Sequence, residues 1–245
     1  NAELIKQTLG NSVEVLHFDE AWYAYAAFHE FYAGRYGMGT ARSDDTPLVF
    51  TTHSTHKLLA AFSQASMIHV RNAASRELDA ERFNEAFMMH TTTSPHYGVI
   101  AACDVASKMM EGAAGESLVQ EMHDEAIAFR RAMLHVRDDL GRDDWWFSVW
   151  QPTQVERSLD KGDTPAPMVA KREEWYLQPD AHWHGFDGLV DDYVLIDPIK
   201  VTLVMPGLTA GGALSEHGIP AAVVSKFLWE RGLVVEKTGL YSFLV

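Results

Sequence analysis

Cysteine is almost absent from this sequence: Cys103 is the only one in 245 residues. No disulfide can close within the chain, and the composition leans toward a reducing, cytoplasmic setting. Also missing is any apolar run near the roughly 20 residues that cross a bilayer, and the first residues carry no leader pattern. Basic residues are in deficit, 20 Lys and Arg against 34 Asp and Glu, for a formal net charge of −14. With the two signs intermixed, the chain offers no cationic face for nucleic acid. Neither a phosphate-cradling Gly-x-x-x-x-Gly-Lys-Ser/Thr loop nor a Gly-x-Ser-x-Gly elbow occurs, which disfavours P-loop hydrolases and serine hydrolases of the elbow type.

What is present is apolar residue in quantity, 47% of the chain, enough for one large core or two small ones. Strand-like runs recur at 13–18, 47–51, 66–70, 193–196 and 200–205, with another pair near 233–245. Helical patterns fall at 22–32 and 80–90, and at 95–111 after Ser94 as N-cap with Pro95 first. Two more lie at 115–139, ending before Gly141, and at 220–231, closed by Gly232. This alternation predicts an α/β layered domain. The aromatic run Trp145–Trp150 reads as a buried strand, 153–182 as a loop excursion and 207–212 as a turn. Residues 2–7 read as mid-helix and 240–245 as a core strand without a closing turn, so a piece of a longer protein is expected.

Two residues carry candidate chemistry. Val13–Leu16 leads into Asp19, and Leu48-Val49-Phe50 leads into Lys57, so each stands just past a short, buried strand's carboxyl end. In open α/β sheets ligands bind at that edge. A carboxylate for a pyridinium nitrogen and a lysine for a Schiff base are the two groups that pyridoxal phosphate (PLP) demands. The plainer alternatives are a helix cap for Asp19 and a surface lysine opening the helix-like run 58–62 for Lys57. A desolvated lysine would lose its charge readily, and the neutral amine attacks aldehydes. Ser54 and His56 flank it as phosphate contacts or turn caps. Thr91–Ser94 is a hydroxyl cluster at a helix start, suited to an anion or to simple capping. His53, His56, His182 and His184 suggest zinc only weakly, since no cysteine pair or spaced glutamate accompanies them, and no metal is expected. The Asp19-Glu20 pair resembles a Walker B acid pair without its loop, and Met88-Met89 and Met109-Met110 read as core filler.

These blocks together carry a resemblance. Phe18-Asp19-Glu20-Ala21-Trp22, Ser54-Thr55-His56-Lys57 through Ser66, and Met89-His90-Thr91-Thr92-Thr93-Ser94-Pro95 resemble the bacterial Orn/Lys/Arg decarboxylases. Trp183-His184-Gly185-Phe186, Asp197–Thr202 and Gly218-Ile219-Pro220 through Gly239 continue it in the same order. The wording at 58–62 and 67–69 is similar to the inducible lysine type.

The resemblance implies a PLP fold type I large domain, with Lys57 holding the cofactor, Asp19 facing the ring nitrogen, and Ala21 and Trp22 bordering the ring. Ser54 and His56 would contact the phosphate or the lysine's surroundings, His56 counting among the catalytic residues. Thr92 and Ser94 would reach a neighbour's phosphate across a homodimer with a shared site, itself built into a decamer. The chain would then be the second half of that domain over 1–152, a loop excursion over 153–182, and the domain's end with the start of a small α/β domain over 183–245. The implied reaction is decarboxylation of a basic amino acid, L-lysine to cadaverine and CO2 first, with arginine or ornithine as alternatives. Transamination on the same fold and a non-catalytic assembly module remain open, and this piece alone is expected to be inactive.

Overall fold

A computed structural model describes residues 1–10, 12–39, 47–140, 147–160, 168–209 and 212–245, with backbone alone for 157–160 and 168–171. The chain divides into two compact units, Asn1–Gln120 and Glu121–Val245.

In the first unit, α1 (Ala2–Leu9) is capped by Asn1, whose Oδ1 accepts the Leu4 N–H at 3.0 Å. The residues expected to lie mid-helix therefore have their own cap. Strands β1 (Val15–Asp19), β2 (Leu48–His53) and β3 (Met67–Arg71) form one sheet in the order β1-β2-β3. β1 and β2 run parallel, Asp19 opposite Thr52, while β3 is antiparallel to β2, His53 opposite Met67. β1 alternates between exposed and half-buried residues, so it is not the buried strand expected. A single turn, α2 (Thr55–Leu58), follows β2 and stops at Leu59, which is extended at φ −122°, ψ 164°. Beyond Leu58 the run expected to be helical is not.

The expected helix over 22–32 is replaced by two 3-10 turns, Ala26–Phe28 and Glu30–Tyr32. Extended His29 separates them, its ring accepting the Phe31 N–H at 3.2 Å. The apolar spacing there serves a tight aromatic knot. Tyr23, Tyr25 and Tyr32 meet edge to face with centroids 5.3 to 5.7 Å apart, and Tyr25, Phe31 and Tyr32 are fully buried. α3 (Ala80–His90) is capped by Asp79. α4 (Tyr97–Met109) begins two residues later than Pro95 and takes His96, not Ser94, as its N-cap. Met88, Met89 and Met109 are exposed; of the two methionine pairs only Met110 is core.

The long helix α5 (Ala113–Asp139) contains the division between the units. In the second unit β4 (Ser148–Val149), β5 (Thr202–Val204), β6 (Lys237–Thr238) and β7 (Ser242–Leu244) make an antiparallel sheet in the order β4-β5-β7-β6. Trp145 and Trp146 lie outside the described residues, so the aromatic strand is seen only at Ser148–Val149. Leu203, Met205, Phe243 and Ala221 of α7 (Ala221–Trp229) form the core, with Phe129, Met133 and Val149 packed on it. The 153–182 span is not a plain loop. It holds α6 (Thr153–Asp160) and a 3-10 stretch over Met168–Trp175. The strand expected at 193–196 is reduced to one bridge, Tyr176 to Leu195.

Arg130 of α5 reaches the irregular chain before β5. Its buried guanidinium donates to the carbonyls of Pro198 (3.0 Å) and Lys200 (3.4 Å) and to Gln151 Oε1 (3.2 Å). It also lies 5.1 Å from the centre of the Trp175 ring. These bonds hold the irregular chain before β5 against α5. Burial lowers its pKa to about 10 against the opposing charge of Asp197.

Candidate active site

Because β1 and β2 are parallel, their carboxyl ends share one edge of the sheet. Asp19 is the last residue of β1, exposed, and its Oδ1 accepts the Ala21 N–H at 3.1 Å. That bond folds the chain back immediately after the strand, an Asx turn that sets Ala21 and Trp22 beside the carboxylate. At the end of β2 the chain enters α2 through Ser54 at φ −87°, ψ 87°, whose side chain makes no capping bond. Thr55 is the fully buried anchor of this turn. His56 Nδ1 donates to the Ala65 carbonyl at 2.7 Å; a carbonyl only accepts, so the proton sits on Nδ1 and leaves Nε2 for other partners. Lys57 Nζ stands over the Trp22 ring, 5.4 Å from its centre.

The structure thus brings Asp19, Ala21, Trp22, Ser54, His56 and Lys57 to one sheet edge, on two adjacent strand ends. It does not bury the lysine: Lys57 is exposed, because α2 is one turn long and packs through Thr55 alone. Thr92 and Ser94 lie apart, exposed between α3 and α4, the Thr92 hydroxyl accepting the Ser94 N–H at 3.1 Å. Their hydroxyls do not cap α4, whose N-cap is His96.

Behind the edge lies a group that sequence reasoning did not assign. Successive strand residues face opposite ways, so Glu20 points away from Asp19 into the unit. Its Oε1 accepts the Gly37 N–H at 2.6 Å and its Oε2 pairs with His53 Nε2 at 3.1 Å, the Glu20 and His53 side chains being 8% and 14% exposed. The His53 ring lies 4.7 Å from that of His69, whose pKa is lowered by burial and then by the neighbouring His53. Lys6 Nζ donates to the Gly37 carbonyl at 3.3 Å and pairs with Glu3, and burial lowers its pKa. Glu20, His53 and His69 border a cavity of about 170 Å³ lined also by Tyr23, Tyr36, Met38 and Met67. The signal available in the sequence was the acid pair itself, of which only the first member was given a role.

Three of the four histidines considered as metal ligands have other partners: His53 Nε2 meets Glu20, His56 Nδ1 the Ala65 carbonyl, and His184 Nε2 the Gln178 carbonyl at 2.9 Å. Among the described residues no three His, Cys, Asp or Glu side chains converge on a metal position. The edge could instead hold a planar anionic cofactor. It offers an accessible amine, a carboxylate with one oxygen outside its turn, a flat indole wall, and the uncommitted Ser54 hydroxyl and His56 Nε2.

Comparison with known proteins gives one consistent answer. A family model described as the major domain of Orn/Lys/Arg decarboxylase matches residues 1–245. Lysine decarboxylase LdcA from Pseudomonas aeruginosa is 70% identical over 245 residues, covering 100% of this chain and 31% of that protein. Lysine decarboxylase from Hafnia alvei is 47% identical over 244 residues, covering 100% of this chain and 30% of that protein. The solved structure of lysine decarboxylase A from Pseudomonas aeruginosa superposes with a TM-score of 0.89 at 71% identity, covering 100% of this chain and 32% of that one. The chain spans about a third of the length of the curated relatives it matches.

Proposed function

We propose a function from one premise: the chain belongs to the Orn/Lys/Arg decarboxylase family. In the complete protein this segment is the second half of a fold type I PLP domain, and the protein decarboxylates a basic amino acid, L-lysine to cadaverine and CO2. Two relatives named for lysine, at 70% and 47% identity over the whole chain, favour that substrate over arginine or ornithine. The observation that carries the reading is the pairing of Asp19 and Lys57 on the carboxyl ends of adjacent parallel strands. Bound PLP supplies an electron sink for the bond that breaks to release CO2.

This chain's residues do the rest. Lys57 anchors the cofactor's aldehyde through Nζ, its exposure leaving the amine accessible. Asp19 holds negative charge beside the ring nitrogen and keeps a proton there, which makes the ring a better sink. Its Asx bond to Ala21 fixes the carboxylate's orientation. Trp22 gives a flat wall on the lysine's side of the edge. His56, its ring fixed by the Ala65 carbonyl, offers Nε2 as an acceptor for a proton or a partner for the phosphate. Ser54 adds a hydroxyl donor. Thr92 and Ser94, unattached to this edge within the chain, serve the neighbouring subunit's phosphate in a homodimer that assembles further, to a decamer. The setting is cytoplasmic. No helix among the described residues is long and apolar enough to cross a membrane.

The full-length protein, incubated with PLP and separately with lysine, arginine and ornithine, tests this. The expected result is CO2 release with cadaverine as the fastest-formed amine. A keto acid in place of CO2 indicates transamination, and no product with any of the three leaves only an assembly role.

A further inference from the structure

The buried acid next to the candidate cofactor acid has a task that its position defines. The backbone ladder between β1 and β2 closes with the Glu20 N–H donating to the Thr52 carbonyl at 3.0 Å. Past that point, among the described residues, no backbone hydrogen bond joins residues 21–25 to 54–58. Yet these are the segments that present Asp19's turn and Lys57. Just there, the Glu20 carboxylate reaches His53 Nε2 at 3.1 Å. Glu20 is one residue from Asp19, and His53 is four residues before Lys57 across a single helical turn whose buried anchor is Thr55.

We infer that Glu20 and His53 form a positioning clamp that locks the strand end bearing Asp19 to the strand end bearing Lys57. The inference rests on the proposed function and adds to it two residues that touch neither substrate nor cofactor. The clamp works from behind. Alternation along the strand turns Glu20 inward while Asp19 stays on the ligand side. The second carboxylate oxygen accepts the Gly37 N–H at 2.6 Å, and the Gly37 carbonyl is held in turn by Lys6. Both oxygens of Glu20 thus have fixed partners, and a nearly buried carboxylate with two hydrogen bonds has little freedom to swing. The His53 ring is backed by His69 at 4.7 Å. A covalent cofactor held at one end by an amine and at the other by a carboxylate needs those two groups fixed to within a fraction of an ångström. A polar tie at the base of both segments supplies that constraint without entering the site.

The test uses the full-length protein, stripped of PLP and titrated with it while the visible absorbance of the bound cofactor is followed. Glu20→Ala, His53→Phe and the double variant form a cycle; Glu20→Gln is the conservative control. His53→Phe keeps a ring against His69 and removes only the donor. The single variants are expected to raise the PLP dissociation constant about tenfold or more. The double variant should be no worse than Glu20→Ala, and Glu20→Gln should recover most of the affinity, because its amide oxygen still accepts from Gly37 while its NH2 donates to His53 Nε2 in the ring's other tautomer. Dissociation constants at the wild-type value in both single variants, or losses that multiply in the double variant, overturn the clamp. Should Glu20→Ala not fold, His53→Phe decides alone by the same criterion. A wild-type protein that takes up no PLP overturns the proposed function and the clamp with it. A wild type that binds PLP beside unaffected variants overturns the clamp and leaves the function standing.

Discussion

Gly37 shows how closely the residues behind the site are fitted. A Cβ there would lie 2.5 Å from Thr51 Oγ1 and 2.8 Å from the Phe18 ring, and both its N–H and its carbonyl are held by buried charged side chains. Neither strand neighbour can retreat without breaking the β1–β2 pairing. Gly37→Ala should therefore cost about 1–3 kcal/mol by overpacking, read as a lower denaturation midpoint of the full-length protein; a midpoint equal to wild type would contradict the fit. At this scale the sequence made half of the site legible. Asp19 and Lys57 stood out because each follows an apolar run, and proximity along the chain brought Ala21, Trp22, Ser54 and His56 with them. Glu20, His53 and Gly37 meet from three separate segments, and no spacing in the sequence records that meeting. Burial of Lys57 was expected from its strand-end position, but a one-turn helix anchored by Thr55 leaves the amine in the open.

At the scale of elements, the helix over 80–90 was readable from its apolar spacing, while the one N-cap read from sequence, Ser94, and the aromatic cluster over 22–32 were not. Asp79 starts α3 as its side chain requires. The aromatic spacing over 22–32 instead satisfies itself in two tight turns around Tyr25 and Tyr32, where ring packing outweighs helical hydrogen bonding. The 153–182 segment was misread because its Pro, Asp and Lys content hid the short helix α6. The irregular stretch before β5 depends on Arg130. Arg130→Met should strand two carbonyls and Gln151 without their donor and destabilise the full-length protein by ~3 kcal/mol. Circular dichroism melts check this, and an unchanged melting temperature would contradict it. On the β2–β3 face, His69 binds a proton less readily folded than unfolded, because burial first and the nearby His53 second depress its pKa, with Glu20 opposing. The unfolded chain takes up the proton that the folded chain refuses, so stability falls as pH drops below 6.5. His69→Gln should flatten that acid limb of the melting temperature against pH; parallel curves for the two proteins would count against it.

At the scale of the whole molecule, the chain spans about a third of the length of the relatives it matches. Its net charge of −14 disfavours a nucleic-acid partner. Asp19 and Lys57 are exposed on their sheet edge, and Thr92 and Ser94 are exposed as well, joined to each other through the Thr92 hydroxyl. The α/β alternation of the first unit was legible, since β1 and β2 follow the apolar runs. The four strands of the second unit fall within runs read as strands, at 145–150, 200–205 and 233–245, but their antiparallel pairing was not legible, because strands of two or three residues leave almost no periodicity to read.

The account depends most on covalent attachment of PLP to one amine. Reduction of the full-length, PLP-loaded protein with borohydride, followed by peptide mapping by mass spectrometry, measures it directly. The account predicts a pyridoxyl mass on the peptide containing Lys57 and on no other lysine peptide. A label on a different lysine, or none on Lys57 in protein that has taken up the cofactor, would contradict it.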